Sequence, residues 1–173
     1  ITEYLPVSST GHLLIAQRLL GIPESAASNG YAIAIQAGAI LAVLGLYRIR
    51  VTSMVRGVFG QDGTGLKLAV CIIVAFLPAA VLGLLFDDLI EQHLFGVKPV
   101  IAAWVVGGVL ILALSKWTRA RREGRDLAHL TWKLALVIGL MQCLAMWPGT
   151  SRSLVTILGG LAVGLSMAAA VEF

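Results

Sequence analysis

Six apolar segments, at about 13–20, 31–47, 66–86, 99–115, 130–147 and 154–171, fill most of this 173-residue chain. A helix needs about 20 apolar residues to cross a bilayer, within a range of about 17–25. The second to fifth segments meet that length and are candidate spans. Only 13% of the residues are charged and mean hydropathy is +0.92, whereas a soluble domain carries about 25% charged residues. The chain therefore reads as one integral membrane domain over 1–173: an all-α, polytopic helical bundle. The first segment, Leu13 to Leu20, is too short to span. Its backbone must still be satisfied within lipid, which predicts a re-entrant hairpin over 1–20 buried by protein. The sixth segment directly follows a polar run and can be half of a second re-entrant pair.

Two short polar runs interrupt the apolar sequence: Pro6-Val7-Ser8-Ser9-Thr10-Gly11-His12 and Pro148-Gly149-Thr150-Ser151-Arg152-Ser153. Hydroxyls, a histidine and an arginine are costly at membrane depth and mark function there. Each run follows a proline and precedes an apolar helical stretch, so each reads as the start of a half-helix. Helix N-termini present free N–H groups and a positive dipole, which suits phosphate. A faint internal repeat joins them: Leu5-Pro6-Val7-Ser8-Ser9 and Trp147-Pro148-Gly149-Thr150-Ser151 share a bulky residue, Pro, any residue, a hydroxyl and Ser. Repeated membrane halves with broken helices commonly hold a site at their interface.

The net charge of +4 is a topology signal and not a nucleic-acid signal. Arg48, Arg50, Arg56 and Lys67 cluster around one loop; Lys116, Arg119, Arg121, Arg122, Arg125 and Lys133 cluster around another. The intervening loop carries Asp87, Asp88 and Glu91 against Lys98. The positive-inside rule places both basic loops in the cytoplasm. Segment five then runs outward, and both polar runs open to the extracytoplasmic side. Cys71 and Cys143 lie in apolar segments and read as small buried hydrophobes rather than a disulfide or metal pair. No signal peptide is expected, since there is no basic n-region or cleavage site. Both ends are expected to be truncated, because the chain opens inside a motif and closes in a helix-like run.

Arg152 is the sharpest single residue. A guanidinium makes bidentate contacts with phosphate oxygens; the plain alternative is an interfacial arginine snorkelling to head groups. Ser151 and Ser153 beside it favour phosphate, and Gly149 would let backbone approach an anion closely. Ser9 and His12 are three apart and share a face if a helix starts near Ser9. That is a nucleophile-and-base arrangement, although Ser8, Ser9 and Thr10 could simply cap the helix. Glu3 is an unpaired carboxylate that could bind a divalent cation brought by a pyrophosphate. Gln36 is polar within segment two and reads first as an interhelical hydrogen-bonder. Pro78 is expected to kink segment three. Gly107-Gly108 and Gly159-Gly160 suggest close helix packing.

At these residues the chain resembles a known family. Thr2-Glu3-Tyr4-Leu5-Pro6-Val7-Ser8-Ser9-Thr10-Gly11-His12 is similar to the first signature of the bacterial undecaprenyl-pyrophosphate phosphatases associated with bacitracin resistance. Pro148-Gly149-Thr150-Ser151-Arg152-Ser153, with Thr156, is similar to their second. The resemblance implies a multi-pass fold with inverted repeats and re-entrant helices in the bacterial inner membrane. It implies hydrolysis of undecaprenyl pyrophosphate to the monophosphate and phosphate, which recycles the lipid carrier for wall synthesis and confers bacitracin resistance. It also implies a divalent cation, Mg2+ or Ca2+. Carried over, Glu3 is one of two catalytic carboxylates and a metal ligand, Ser9 the candidate nucleophile, His12 a base or alternative nucleophile, and Arg152 the pyrophosphate clamp. Ser8, Thr10, Gly149, Ser151, Ser153 and Thr156 line the phosphate site.

Two departures stand out. The family continues Ser-Arg-Ser with Gly-Ala-Thr where Leu154-Val155-Thr156 stands here, and Met167 stands where it often has arginine. The fragment also stops short of the family's last spans and is expected to be inactive alone. The expected partners are a polyprenyl pyrophosphate lipid and membrane lipids, with a homodimer one assembly open to it. The rival class is a transporter or flippase of an anionic polyprenyl lipid, which needs Arg152 but has no use for a Ser9–His12 pair. The phosphatidic-acid-phosphatase pattern is disfavoured, because it places a histidine after Ser-Arg and none follows Arg152.

Overall fold

The computed structural model of the chain describes residues 5–23, 25–94, 96–120 and 124–173. Glu3, Arg121 and Arg122 lie outside the described residues. The helices are α1 (Ser9–Leu19), α2 (Ala26–Leu46), α3 (Arg48–Val58), α4 (Gly63–Leu94), α5 (Val97–Ala120), α6 (Trp132–Gln142), α7 (Arg152–Ala162) and α8 (Met167–Glu172). Short 3-10 turns occupy Leu127–His129 and Cys143–Met146. Among the described residues there is no strand, only an isolated parallel bridge between Arg125 and Leu165. The chain is the helical membrane bundle that its apolar periodicity demands.

Gly63–Phe86 of α4 and Val97–Leu114 of α5 are each long and apolar enough to cross a bilayer. Both expose large apolar side chains, with Leu84 86% and Leu112 76% accessible, as a lipid-facing surface requires. Pro78 sits inside α4 without breaking it. α4 also continues past Asp88 to Leu94, which extends the third apolar segment beyond its predicted end. The second segment forms α2, which turns by 82° between Leu46 and Arg48 into α3. Arg48, Arg50 and Arg56 belong to α3, and a cationic helix is better placed along an interface than through the hydrocarbon.

The fifth apolar segment is the main correction. It was expected to span, yet α6 has 11 residues and gives way to the 3-10 turn. The chain then reverses at Trp147–Ser151 and returns as α7. Pro148 cannot continue a helix, and Gly149 takes φ +95, a conformation costly for other residues. The two ends of this hairpin finish on the same side of the bundle. The Arg125 N–H donates to Gly164 O at 3.0 Å, and the Ser166 N–H donates to Arg125 O at 3.0 Å. Segments five and six therefore form one helical hairpin, with the second polar run at its tip.

The hairpin is held by a core of Cys71 and Ala75 from α4, Ala135 and Ile138 from α6, Leu161 and Leu165, and Ala169 and Ala170 from α8. Small residues let these backbones approach. A Cβ at Gly139 would collide with the backbone carbonyl of Ala75, which is how membrane helices pack without a hydrophobic drive between them. Gly160 likewise faces Ala170, whereas Gly108 faces open space. Both cysteines are free. At the basic end, Arg50 Nε donates to Glu172 Oε1 at 2.6 Å and Lys67 Nζ donates to Ala128 O at 2.7 Å. These contacts tie α3 to α8, and α4 to the segment after α5.

Candidate active site

Each polar run builds a helix start. Ser8 is the N-cap of α1 and its Oγ accepts from the Gly11 N–H at 3.5 Å. Ser151 is the N-cap of α7 and its Oγ accepts from the Leu154 N–H at 3.3 Å. Both caps are buried. The capping serines are thus Ser8 and Ser151, so the two runs correspond one residue out of step with the sequence repeat, which paired Ser9 with Ser151. Ser8 is also the one non-glycine at positive φ among the described residues, at φ 62. Strain of that kind costs about 1–3 kcal/mol and persists where surrounding structure enforces it.

The two starts meet at one cleft of about 360 Å³. From the first run it takes Ser8, Ser9 and Thr10, and from the second Gly149, Thr150, Ser151, Arg152, Ser153 and Thr156. Every site residue expected from the second run is brought there. The runs are joined directly, because Ser153 Oγ donates to the Leu5 carbonyl at 3.4 Å. The Ser151 and Ser153 Oγ atoms lie 2.9 Å apart and share a hydrogen bond that either hydroxyl can donate. Thr156 Oγ1 points back along its own helix, donating toward Arg152 O at 3.0 Å and Ser153 O at 3.1 Å. Arg152 is exposed in the cleft and makes no ion pair among the described residues.

His12 is placed differently. It lines a neighbouring pocket of about 280 Å³ together with Trp104, Pro6 and Val7, and that pocket shares Gly149 and Ser151 with the cleft. Its Nδ1 lies 2.8 Å from the Ser8 carbonyl oxygen. A carbonyl only accepts, so Nδ1 carries the proton and Nε2 is the free acceptor of the neutral ring. The ring tilts 42° against Trp104 with centroids 4.7 Å apart. Among the described residues no bond joins it to Ser9. Their three-residue spacing does not put Ser9 and His12 in one cavity, because the bond to Ser8 turns the imidazole back beneath its own helix start.

Gly149, which lines the cleft, also packs closely against α5. A Cβ there would lie 2.9 Å from the carbonyl oxygen of Val100 on α5. Trp104 was not singled out from the sequence, although Gly11 marks it, since a Cβ at Gly11 would lie 2.7 Å from the indole. Gln36 of α2, read from sequence as an interhelical hydrogen-bonder, also lines the cleft.

The described residues do not by themselves fit a divalent cation. No group of three His, Cys, Asp or Glu side chains is found among them. The cleft offers hydroxyls, an amide and a guanidinium, a poor set for a hard cation that favours carboxylates.

The fold and the cleft define a polytopic helical membrane protein whose two half-helix starts converge on one polar site. The family model described as bacitracin resistance protein BacA matches residues 1–173, and the chain belongs to that family. It is 47% identical over 175 residues to an undecaprenyl-diphosphatase of Sorangium cellulosum, covering 100% of this chain and 57% of that protein. It is 49% identical over 176 residues to undecaprenyl-diphosphatase 2 of Rhodospirillum rubrum, covering 100% of this chain and 62% of that protein. With the undecaprenyl-diphosphatase of Clostridium tetani it shares 38% identity over 173 residues, 100% of this chain and 64% of the relative. The chain thus spans less than two thirds of the length of these curated relatives.

Proposed function

We propose that this chain carries the phosphate-binding site of an integral membrane phosphatase that hydrolyses undecaprenyl pyrophosphate to undecaprenyl phosphate and phosphate, and so sustains wall synthesis and bacitracin resistance. The observation that carries the reading is the meeting, in one cleft, of two serine-capped helix starts and an arginine with no ion pair among the described residues, in a member of this family. N–H groups in the first turns of α1 and α7 have no acceptor within their own helices, and with the helix dipoles they favour an anion. Arg152 clamps the phosphate oxygens. Ser9 Oγ, or a water beside it, attacks the terminal phosphorus. The anhydride bond to the bridging oxygen breaks, and that oxygen leaves on undecaprenyl phosphate. If Ser9 attacks, water then releases phosphate from the serine ester. His12 lies one pocket away, so it accepts the nucleophile's proton through a bridging water. Charge on the phosphoryl oxygens is stabilised by fixed donors, the usual main term in such transfers. A cation would rest on Glu3 and on the substrate's own oxygens, and no step here depends on it.

The cleft opens to the extracytoplasmic side of the inner membrane in this reading. The hairpin starts and ends beside the basic loops, which the positive-inside rule makes cytoplasmic. α6 and its 3-10 turn, of 11 and 4 residues, reach roughly 24 Å at the usual rise per residue, against a hydrocarbon core of about 30 Å. That puts the tip in the outer half. The two half-helices are the broken elements of an inverted repeat.

The test is phosphate release from undecaprenyl pyrophosphate by the full-length protein in detergent, comparing wild type with Ser9→Ala and Arg152→Ala, with and without EDTA. Release lost in both variants is the expected result, and loss on chelation adds the cation. A folded wild type that binds the lipid through Arg152 but releases nothing would overturn the enzyme and favour a transporter.

A further inference from the structure

We propose that Gln36 is a further ligand-contacting residue of the cleft, its side-chain amide donating to the phosphate oxygens from α2. The proposal deepens the phosphatase reading and rests on the cleft binding a phosphate group.

Three observations converge on this residue. Between Tyr31 and Leu46 it is the only side chain with an amide, hydroxyl or charge apart from the tyrosine itself. Amides at membrane depth are retained where they meet a partner or a function. Gln36 and Ile40, one turn apart, both line the cleft, so this face of α2 is one of its walls. Among the described residues the Gln36 amide has no hydrogen-bond partner, so the interhelical bond that would explain it structurally is absent.

A proton inventory of the cleft says what the amide is for. An anion needs donors. Most of the hydroxyl protons of Ser151, Ser153 and Thr156 are engaged with protein oxygens: Ser151 and Ser153 bond each other, Ser153 also reaches the Leu5 carbonyl, and Thr156 donates toward the carbonyls of Arg152 and Ser153. At most one of those three protons is left for the cleft. The other side-chain donors lining the cleft are Arg152, Ser8, Ser9, Thr10, Thr150 and Gln36. All but Gln36 belong to the two polar runs. Its NH2 group brings two more protons from a third helix and holds the anion against Arg152.

The experiment uses full-length protein in detergent, with inorganic pyrophosphate as the binding probe and undecaprenyl pyrophosphate as substrate. Gln36→Met keeps the length and removes the amide; Gln36→Glu keeps the shape and replaces donors by a charged acceptor. Gln36→Met is expected to weaken pyrophosphate binding about 10- to 100-fold, the usual loss for a hydrogen bond to a charged group, and to lower kcat/KM by a similar factor. Gln36→Glu is expected to abolish binding. Both should melt within a few degrees of wild type. Wild-type pyrophosphate affinity in a folded Gln36→Met, while Arg152→Ala loses it, would overturn the role of Gln36 and leave the phosphatase standing. A folded wild type that neither binds pyrophosphate nor releases phosphate would overturn both.

Discussion

His12 donates its Nδ1 proton to the Ser8 carbonyl 2.8 Å away, one turn back along α1, at the residue that holds the strained cap. The bond fixes the tautomer and leaves Nε2 as the basic nitrogen. His12→Asn keeps a donor near the Nδ1 position and removes the base. The variant should fold and lose about 100-fold or more in phosphate release, the lower range for a general base. Nitrogen-15 NMR of the wild-type ring should show the proton on Nδ1. An Nε2-protonated neutral ring, or an active Asn variant, would refute the assignment.

Arg152 separates binding from stability. It is exposed and makes no ion pair among the described residues, so Arg152→Lys should leave the melting temperature almost unchanged, within about 0.5 kcal/mol. Lysine cannot reproduce the planar two-pronged contact. Activity should fall about 10- to 100-fold in kcat/KM. Equal activity in the lysine variant would mean that only charge matters at this position.

The meeting of the two polar runs was legible in the sequence because polar residues inside apolar segments have few physical excuses. Ser8, Ser9, Thr10, Gly149, Thr150, Ser151, Arg152, Ser153 and Thr156 all reach the cleft for that reason. The fate of segment five was not legible. Its 18 positions at about 130–147 satisfy a length rule that cannot see where a 3-10 turn and Pro148 end the helix. The position of His12 was hidden too. Spacing along a helix says which face a residue shares, but the bond from its ring to Ser8 O decides which cavity that ring enters. Gln36 was visible as an oddity in α2, yet its address depends on how α2 packs, which no local pattern carries.

Gly149 is a packing position and should behave as one. Its φ of +95 is strained for any side chain, and a Cβ would sit 2.9 Å from Val100 O and 3.1 Å from the Ala103 Cβ. Gly149→Ala should cost about 1–3 kcal/mol, read as a lower melting temperature in detergent. Ala103→Gly in the same chain removes one of those contacts and should recover only a small part. A Gly149→Ala protein as stable as wild type but inactive would instead point to a backbone that needs space for the ligand.

Asp62 gives the basic end of the bundle an acid-sensitive turn. The Ser53 hydroxyl donates to its Oδ2 at 2.5 Å, and the Gly65 and Thr64 N–H groups donate to Oδ1 at 3.0 Å each. The Ser53 bond, then the Gly65 bond, hold this carboxyl below its ordinary value of 3.8. A carboxyl depressed in the folded state contributes stability above its unfolded value and loses it as pH falls through the folded one. The contribution is therefore intact at neutral pH and disappears on acidification below about pH 4. Ser53→Ala removes the largest cause, so melting temperatures recorded from about pH 3 to about pH 7 should drop most at neutral pH and converge with wild type in acid. Curves displaced equally at every pH would show that Ser53 acts through packing of α3 on α4 and not through the charge of Asp62.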